Sequence, residues 1–338
     1  MKRVTINDIA RLSGVSKATV SEVINNDPKS RVSPETFAKV KKVIDECGYQ
    51  PLQQAQAMSN GRTRHIGLLI SSSAMLGFAN SYFGTILAGV ENACSARNYY
   101  CTVSLFNLAR LRNFLAPQNL RRRNVDALIV AGEIASEEFL LAMGIPVAIL
   151  GYCHHEEFYR IDRGNSPLGA FRHLAELGHR ELLLPYFAEA ERLETEAILK
   201  EFNRTAKRPL NGHFSNSFLD IGDLRRGREL CNEVFIHKYN GCTAMIANDQ
   251  ICSGFMQQLV TLGRKCPDDF SIVSRDDTPL CEWNSIPITA CGGDVFEYGR
   301  AAANLMIDLL DQTADPACRE IKLPTPPELI VRHSTCRI

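Results

Sequence analysis

The sequence predicts an N-terminal all-α helix-turn-helix head followed by an α/β core with room for two doubly wound parallel-sheet lobes. Three observations carry this expectation. Residues 5–21 hold two short amphipathic helices around Ser13-Gly14-Val15, and Ser33-Pro34 opens a third. From His65 onward, apolar strand-like runs alternate with helical stretches. Such alternation belongs to parallel sheets covered by helices on both faces. A chain of 338 residues suits two or three domains, and 45% apolar residues can fill their cores.

The head reads element by element. Thr5 caps the first helix, and Asp8 three residues later completes a capping box in which the acid is more often Glu. Ile6, Ile9, Ala10 and Leu12 form its apolar stripe. Ser16 caps the second helix, whose Val20, Val23 and Ile24 face back onto the first. Lys17, Ala18, Ser21 and Glu22 are left outward, where base edges lie when such a helix enters a major groove. The same stripes would serve the core of an ordinary helical domain, so this motif alone leaves both readings open. Ser33, Pro34 and Glu35 start the third helix with a cap, a proline in the first turn and an early acid. Phe37, Val40, Val43 and Ile44 follow at helical spacing, and Gly48 stands where a left-handed C-cap belongs.

In the core, strands are expected at 66–71, 100–105, 127–131, 147–150, 181–184, 244–247 and 271–274, with helices at 83–97, 167–177, 224–234 and 250–262. Ligands of open parallel sheets bind beyond the carboxyl ends of the strands. Ser71-Ser72-Ser73, Asn248-Asp249-Gln250 and Asp276-Asp277 occupy such positions. The first and third of these would equally serve as caps and turns.

Composition narrows the function. Net charge is zero, yet residues 1–64 carry eleven Lys and Arg against six acids. A basic head on a mildly acidic body suits a molecule that meets phosphate at one end. No secretory h-region opens the chain and no run approaches the roughly 18 apolar residues of a membrane span, so a cytoplasmic location is expected. The twelve cysteines are scattered without a C-x-x-C and read as buried reduced thiols. His154-His155-Glu156-Glu157 reads as an exposed loop, because adjacent side chains rarely converge on one ion. Arg121-Arg122-Arg123 reads as a solvated helix end. With no G-x-G-x-x-G, no Walker A and no G-x-S-x-G, neither an enzyme nor any metal or cofactor is expected.

Asp8-Ile9-Ala10, Gly14-Val15-Ser16, Thr19-Val20-Ser21, Val23-Ile24-Asn25, Val32-Ser33-Pro34-Glu35-Thr36, Gly48-Tyr49 and Gly61-Arg62-Thr63-Arg64-x-Ile66-Gly67 occur in order, with the spacing of the lactose-repressor (LacI/GalR) family. The chain closely resembles that family. The resemblance implies a head at 1–48, a hinge helix and linker at 49–64, and a core at 65–338 of periplasmic-binding-protein type. Its lobes would comprise about 65–161 with 289–322, and about 162–288 with 323–338, joined near Asp162, Ile288 and Leu323. It implies a transcriptional regulator, most simply a repressor of a carbohydrate-utilisation operon. Such a homodimer would bind a pseudo-palindromic double-stranded DNA operator and respond to a sugar or sugar phosphate between the lobes. A transport binding protein would instead show an export signal and no head.

By resemblance, Thr5, Ser16, Lys17, Ala18, Thr19, Ser21, Glu22, Asn25 and Arg31 of the head would meet DNA, with Gln53, Gln54, Ala55 and Met58 of the hinge. Ser72, Asn165, Arg192, Phe214, Asn248 and Asp276 would meet the effector, and Leu177-Gly178-His179-Arg180 looks like the family's Gly-His-Arg turn. A bidentate donor, an acid, an amide and a flat apolar face suit a polyol. There are departures. Ser274-Arg275-Asp276 stands for Gly-Tyr/Phe-Asp, Gly164-Asn165 for Asp-Asn, Thr195 for a glycine and Gly293 for a glutamine. Arg275 would pair with an anionic effector group or neutralise Asp276 or Asp277.

In relatives the hinge ends Ala-Arg-Ser-Leu and wedges its leucine into the minor groove. Here the stretch is Ala55-Gln56-Ala57-Met58. An unbranched methionine still enters a base step, though it loses more rotamer freedom when fixed. Met58→Ala is therefore expected to lower specific but not nonspecific DNA affinity and to leave the melting temperature unchanged. If Met58 instead packs against the core lobes, Met58→Ala lowers the melting temperature; anisotropy titrations on both DNA types check the wedge, and equal loss on the two would refute it.

Overall fold

The structure, a computed structural model, describes residues 4–25, 32–49, 62–71, 80–106, 125–132, 137–151, 155–164, 166–217, 223–236, 238–324 and 329–338. The chain divides into two compact units, Met1–Arg64 and His65–Ile338. The hinge residues Gln53, Gln54, Ala55 and Met58, together with Arg31, Ser72 and Asn165, lie outside the described residues.

In the first unit, α1 (Ile6–Ser13), α2 (Lys17–Asn25) and α3 (Pro34–Cys47) enclose Ile9, Val20, Val23 and Val40. The capping box at Thr5 is formed: the Asp8 carboxylate accepts from the Thr5 backbone N–H at 3.0 Å. Gly14, at φ +66°, ends α1 in the left-handed region, and Gly48 at φ +57° ends α3 in the same way. Ser16 accepts from the Thr19 backbone N–H at 3.1 Å, and Ser33 from that of Thr36 at 3.2 Å. One expectation fails. Leu12 is 53% exposed, and Ser13 turns inward instead, its hydroxyl donating to the Ile9 carbonyl at 2.6 Å. A buried serine is tolerable there because the helix itself supplies its partner.

The second unit contains two parallel sheets. Strands β1 (His65–Ser71), β2 (Tyr100–Phe106), β3 (Ala127–Ala131), β4 (Val147–Leu150), β5 (Tyr159–Asp162) and β11 (Glu320–Lys322) lie in the order β11-β5-β4-β3-β1-β2. Strands β6 (Glu181–Tyr186), β7 (Asn211–Asn216), β8 (Ala244–Ala247), β9 (Ser271–Ser274) and β10 (Thr289–Ala290) lie in the order β10-β9-β8-β6-β7. Both strand orders reverse direction, as doubly wound sheets do. Every residue of β3, β4, β8 and β9 is buried. Alternate side chains enter opposite helical layers: Leu68 and Ile129 one, Leu69 and Val130 the other. In the second sheet Met245 and Ala247 face away from Ala244 and Ile246. This is the burial pattern of parallel strands covered on both faces.

Helices α4 (Ser81–Ala96), α5 (Glu137–Leu141) and α11 (Val295–Leu310) belong to the first lobe. The second holds α6 (Leu168–Leu177), α7 (Glu189–Thr205), α8 (Asp223–Ile236), α9 (Asp249–Thr261) and α10 (Pro279–Trp283). The boundary expected at Ile288 moves along the chain. Thr289 and Ala290 still pair with Val273 and Ser274 of β9, so the crossover runs between β10 and α11. A two-residue strand carries no periodicity from which to read it. The tail returns to the second lobe: Ser334 donates to the Ile272 carbonyl at 2.5 Å and accepts from the Thr289 backbone N–H at 2.9 Å. Buried His179 bridges Thr243 Oγ1 at 2.8 Å and the Cys336 carbonyl at 3.1 Å, and burial lowers its pKa. The Gly-His-Arg turn thus anchors the tail.

Each lobe packs one helix pair through glycines. A Cβ on Gly89 of α4 would strike the Phe296 carbonyl, and one on Gly299 of α11 the Ile86 carbonyl. In the second lobe Gly227 of α8 and Gly254 of α9 meet Ile251 and Leu224 backbone in the same reciprocal manner. Gly254→Ala and Gly89→Ala should each destabilise the core by about 1–3 kcal/mol, the usual cost of overpacking. Urea melts would show it; undiminished midpoints would mean that the helices separate freely.

Candidate functional sites in head and core

The exposed face of α2 begins with Ser16, Lys17 and Ala18, all exposed, and continues through the half-buried Thr19, Ser21 and Glu22. Thr5 is exposed at the start of α1. Val20 and Val23, at 0% and 6% exposure, fix which way α2 faces, because their burial against Ile9 and Val40 leaves Lys17 and Ala18 outward. Asn25 ends the helix. A rigid small core carrying a polar helix face is what insertion into a groove requires.

In the second unit, charged side chains gather beyond the carboxyl ends of the strands. Arg163 follows β5 in the first crossover. Its Nη2 donates to Asp276 Oδ1, just past β9, at 2.8 Å, with only 10% and 12% of the two side chains exposed. The guanidinium carbon lies 5.4 Å from the ring centre of Tyr82 on α4 and 5.1 Å from that of Tyr298 on α11. Burial pushes the Tyr82 phenol up to about 12, although the Arg163 charge acts in the other direction. Hydrogen bonds fix the Asp276 backbone as well: the Ser274 and Cys281 side chains both donate to its carbonyl, at 2.7 and 3.2 Å.

A second charge pair lies alongside. Arg275 donates through Nη1 to Glu191 Oε1 at 2.9 Å and through Nη2 to Thr195 Oγ1 at 2.6 Å. The other Glu191 oxygen accepts from the Phe187 backbone N–H at 2.9 Å. Asp277 is taken by Arg332 at 2.8 Å. Asp249 accepts from the Gln250 backbone N–H at 2.8 Å and from the Thr278 hydroxyl. The expectation that Arg275 neutralises Asp276 or Asp277 is thus corrected. Each of those acids has another arginine, and Arg275 reaches across to α7. Gly292 in the return crossover passes so close to the Arg275 carbonyl that a Cβ could not fit.

The sequence-predicted effector residues come out as follows. Asp276 sits at the centre of the charged group. Asn248 caps α9, its Oδ1 accepting from the Ile251 N–H at 2.8 Å. Phe214 packs partly buried against the core of the second lobe, 6.5 Å from the Tyr186 ring. Arg192 lies along its own helix, held by Glu189 at 2.6 Å and Glu196 at 2.8 Å. Arg163, Glu191, Tyr82 and Tyr298 were not singled out by sequence reasoning. A signal existed for one contact: Thr195 and Arg275 both depart from the family pattern, and they touch. A glycine at 195 could not receive the Arg275 guanidinium. Among the described residues, no group of three or more His, Cys, Asp or Glu could hold a metal ion, and no helix is long and apolar enough to cross a membrane.

The Arg275–Glu191 pair is 11% and 8% exposed. Removing one member of a buried pair strands the other, at a cost of about 3–5 kcal/mol. Arg275→Ala should therefore unfold at markedly lower denaturant than the natural protein, while Arg275→Ala/Glu191→Gln recovers much of the loss. Chemical denaturation of the set decides it; a neutral single variant would show that water reaches Glu191.

Comparison with known proteins agrees with this architecture. Residues 5–52 match the family described as bacterial regulatory proteins, lacI family, and residues 171–335 match the periplasmic binding protein-like domain. An HTH-type transcriptional repressor PurR from Vibrio parahaemolyticus is 28% identical, covering 99% of each chain. The ribose operon repressor of Escherichia coli is 26% identical over 98% of this chain and 99% of its own. The Lac repressor dimer bound to operator and the anti-inducer ONPF superposes with a TM-score of 0.76 at 23% identity, covering 99% of this chain and 100% of its own. Its likeness is one of fold. With a helix-turn-helix head, two parallel-sheet lobes and full-length similarity to transcriptional repressors rather than enzymes, this chain joins a lacI-family head to a periplasmic binding protein-like core.

Proposed function

We propose that this protein is a cytoplasmic, homodimeric repressor of a carbohydrate-utilisation operon, binding a pseudo-palindromic operator and controlled by a sugar or sugar-phosphate effector between its lobes. The observation that carries the reading is the outward face of α2, with Lys17 and Ala18 exposed while Val20 and Val23 are locked into the head core. Ser16, Lys17, Ala18, Thr19, Ser21, Glu22 and Asn25 would meet the major groove, Thr5 and Arg31 the phosphates, and Gln53, Gln54, Ala55 and Met58 the operator centre.

Two copies would place two heads on two half-sites. Val260 on α9 and Trp283 on α10, 76% and 78% exposed, offer apolar surface for the second copy. In the core, Ser72, Asn165, Asn248 and Asp276 would meet effector hydroxyls and Phe214 would border them. Arg192 would join by giving up Glu189 or Glu196. The kinship to a ribose operon repressor supports a carbohydrate effector.

In vitro selection from random DNA with the full chain tests the reading. A pseudo-palindromic motif is expected, and Glu22→Arg should change the preferred base at one position per half-site while strengthening nonspecific binding. Base-reading contacts of this kind contribute about 1–3 kcal/mol of discrimination each. A motif unchanged by the substitution would remove Glu22 from the interface, and no enriched motif at all would overturn the reading.

A further inference from the structure

We infer that Tyr82, Tyr298 and Asp276 form a guanidinium cradle whose resident ligand is the chain's own Arg163, and that this internal ligand clamps the two lobes together without any small molecule. The inference rests on the effector cleft proposed above and concerns how that cleft is regulated.

The components come from three parts of the core. Tyr82 lies in the first turn of α4 and Tyr298 in that of α11, both in the first lobe. Asp276 follows β9 in the second lobe. Arg163 belongs to the crossover that leaves β5 at Asp162. Its guanidinium meets both rings and the carboxylate at once, with ring-centre distances of 5.4 and 5.1 Å and a 2.8 Å hydrogen bond. A planar, weakly hydrated cation between aromatic faces and over a carboxylate is the arrangement in which guanidinium binding is strongest. With 10% of the side chain exposed, Arg163 exchanges little with solvent charge, so the contact is screened little by salt.

The geometry has a direct consequence. The Asp276 side chain is only 12% exposed and its Oδ1 already accepts from Arg163, so an effector hydroxyl has to compete with Arg163 for the approach to that carboxylate. An effector would therefore act by competing with a tethered cation, and its entry would loosen the grip of Asp276 on the first crossover and of the crossover on α4 and α11. Arg163 is a positioning residue for lobe closure.

The test uses the full chain with methylguanidinium chloride as probe, at millimolar concentrations where it is no denaturant. Arg163→Ala should raise amide exchange across Ser81–Ala96 and Val295–Leu310 by roughly a hundredfold or more, the scale of losing one partner of a buried pair. Methylguanidinium should restore protection and melting temperature in Arg163→Ala but change neither in the natural protein, whose cradle is full. Methylammonium, lacking the planar face, should rescue less. Arg163→Ala/Asp276→Asn should fold and not be rescued. If Arg163→Ala fails to fold, Arg163→Lys takes its place, and faster exchange in the same two helices is the expected result. Unchanged exchange in the single variants, or equal stabilisation of variant and natural protein by the probe, would overturn the proposal. A thermal-shift panel of neutral sugars and sugar phosphates on the natural protein reads the effector assignment separately, so either can fail while the other stands.

Discussion

Parallel strands cannot be joined by a short turn; each must be reached by a crossover that packs on a face of the sheet. In this core that constraint sets almost everything else. It requires helices on both sides of β3, β4, β8 and β9, and it explains why all their residues are buried and why alternate side chains feed separate clusters. It also leaves the carboxyl ends of the strands as the places where backbone runs out into loops. Asp276, Arg275 and Asn248 stand at those ends.

The burial that stabilises the lobes makes charge at those ends costly unless it is matched. The structure meets this by pairing: Arg163 with Asp276, Arg275 with Glu191, Arg332 with Asp277. Such pairs add little net stability compared with apolar packing, but they are directional. They fix which crossover lies against which strand end. Where backbone must pass still closer, glycine replaces charge, as Gly292 does against Arg275 and Gly254 against Leu224.

The departures from the family pattern become intelligible as contacts. Thr195 in place of glycine and Arg275 in place of an aromatic residue are joined by a 2.6 Å hydrogen bond. Arg163 stands immediately before Gly164, where the family pattern has an acid, and its partner is the distant Asp276. Changes that look like drift when read singly form a consistent, neutralised group when read in space.

What the sequence determined by itself were the features governed by neighbours in the chain. Thr5, Gly14, Ser33 and Gly48 cap their helices through partners within a few residues, and the buried strands at 127–131, 147–150, 244–247 and 271–274 announce themselves as short apolar runs. Strands such as Tyr159–Asp162, Asn211–Asn216 and Thr289–Ala290 lack that signal, since edges and short segments are made by pairing with distant residues rather than by their own pattern. Helices Glu189–Thr205 and Val295–Leu310 are not among those the sequence predicts. Among candidate site residues, the outward face of α2 followed from helical periodicity alone. The partners of Asp276 and Arg275 did not. They lie 113 and 84 residues away along the chain, and a charge acquires its partner only when tertiary folding excludes water and leaves one neighbour within reach.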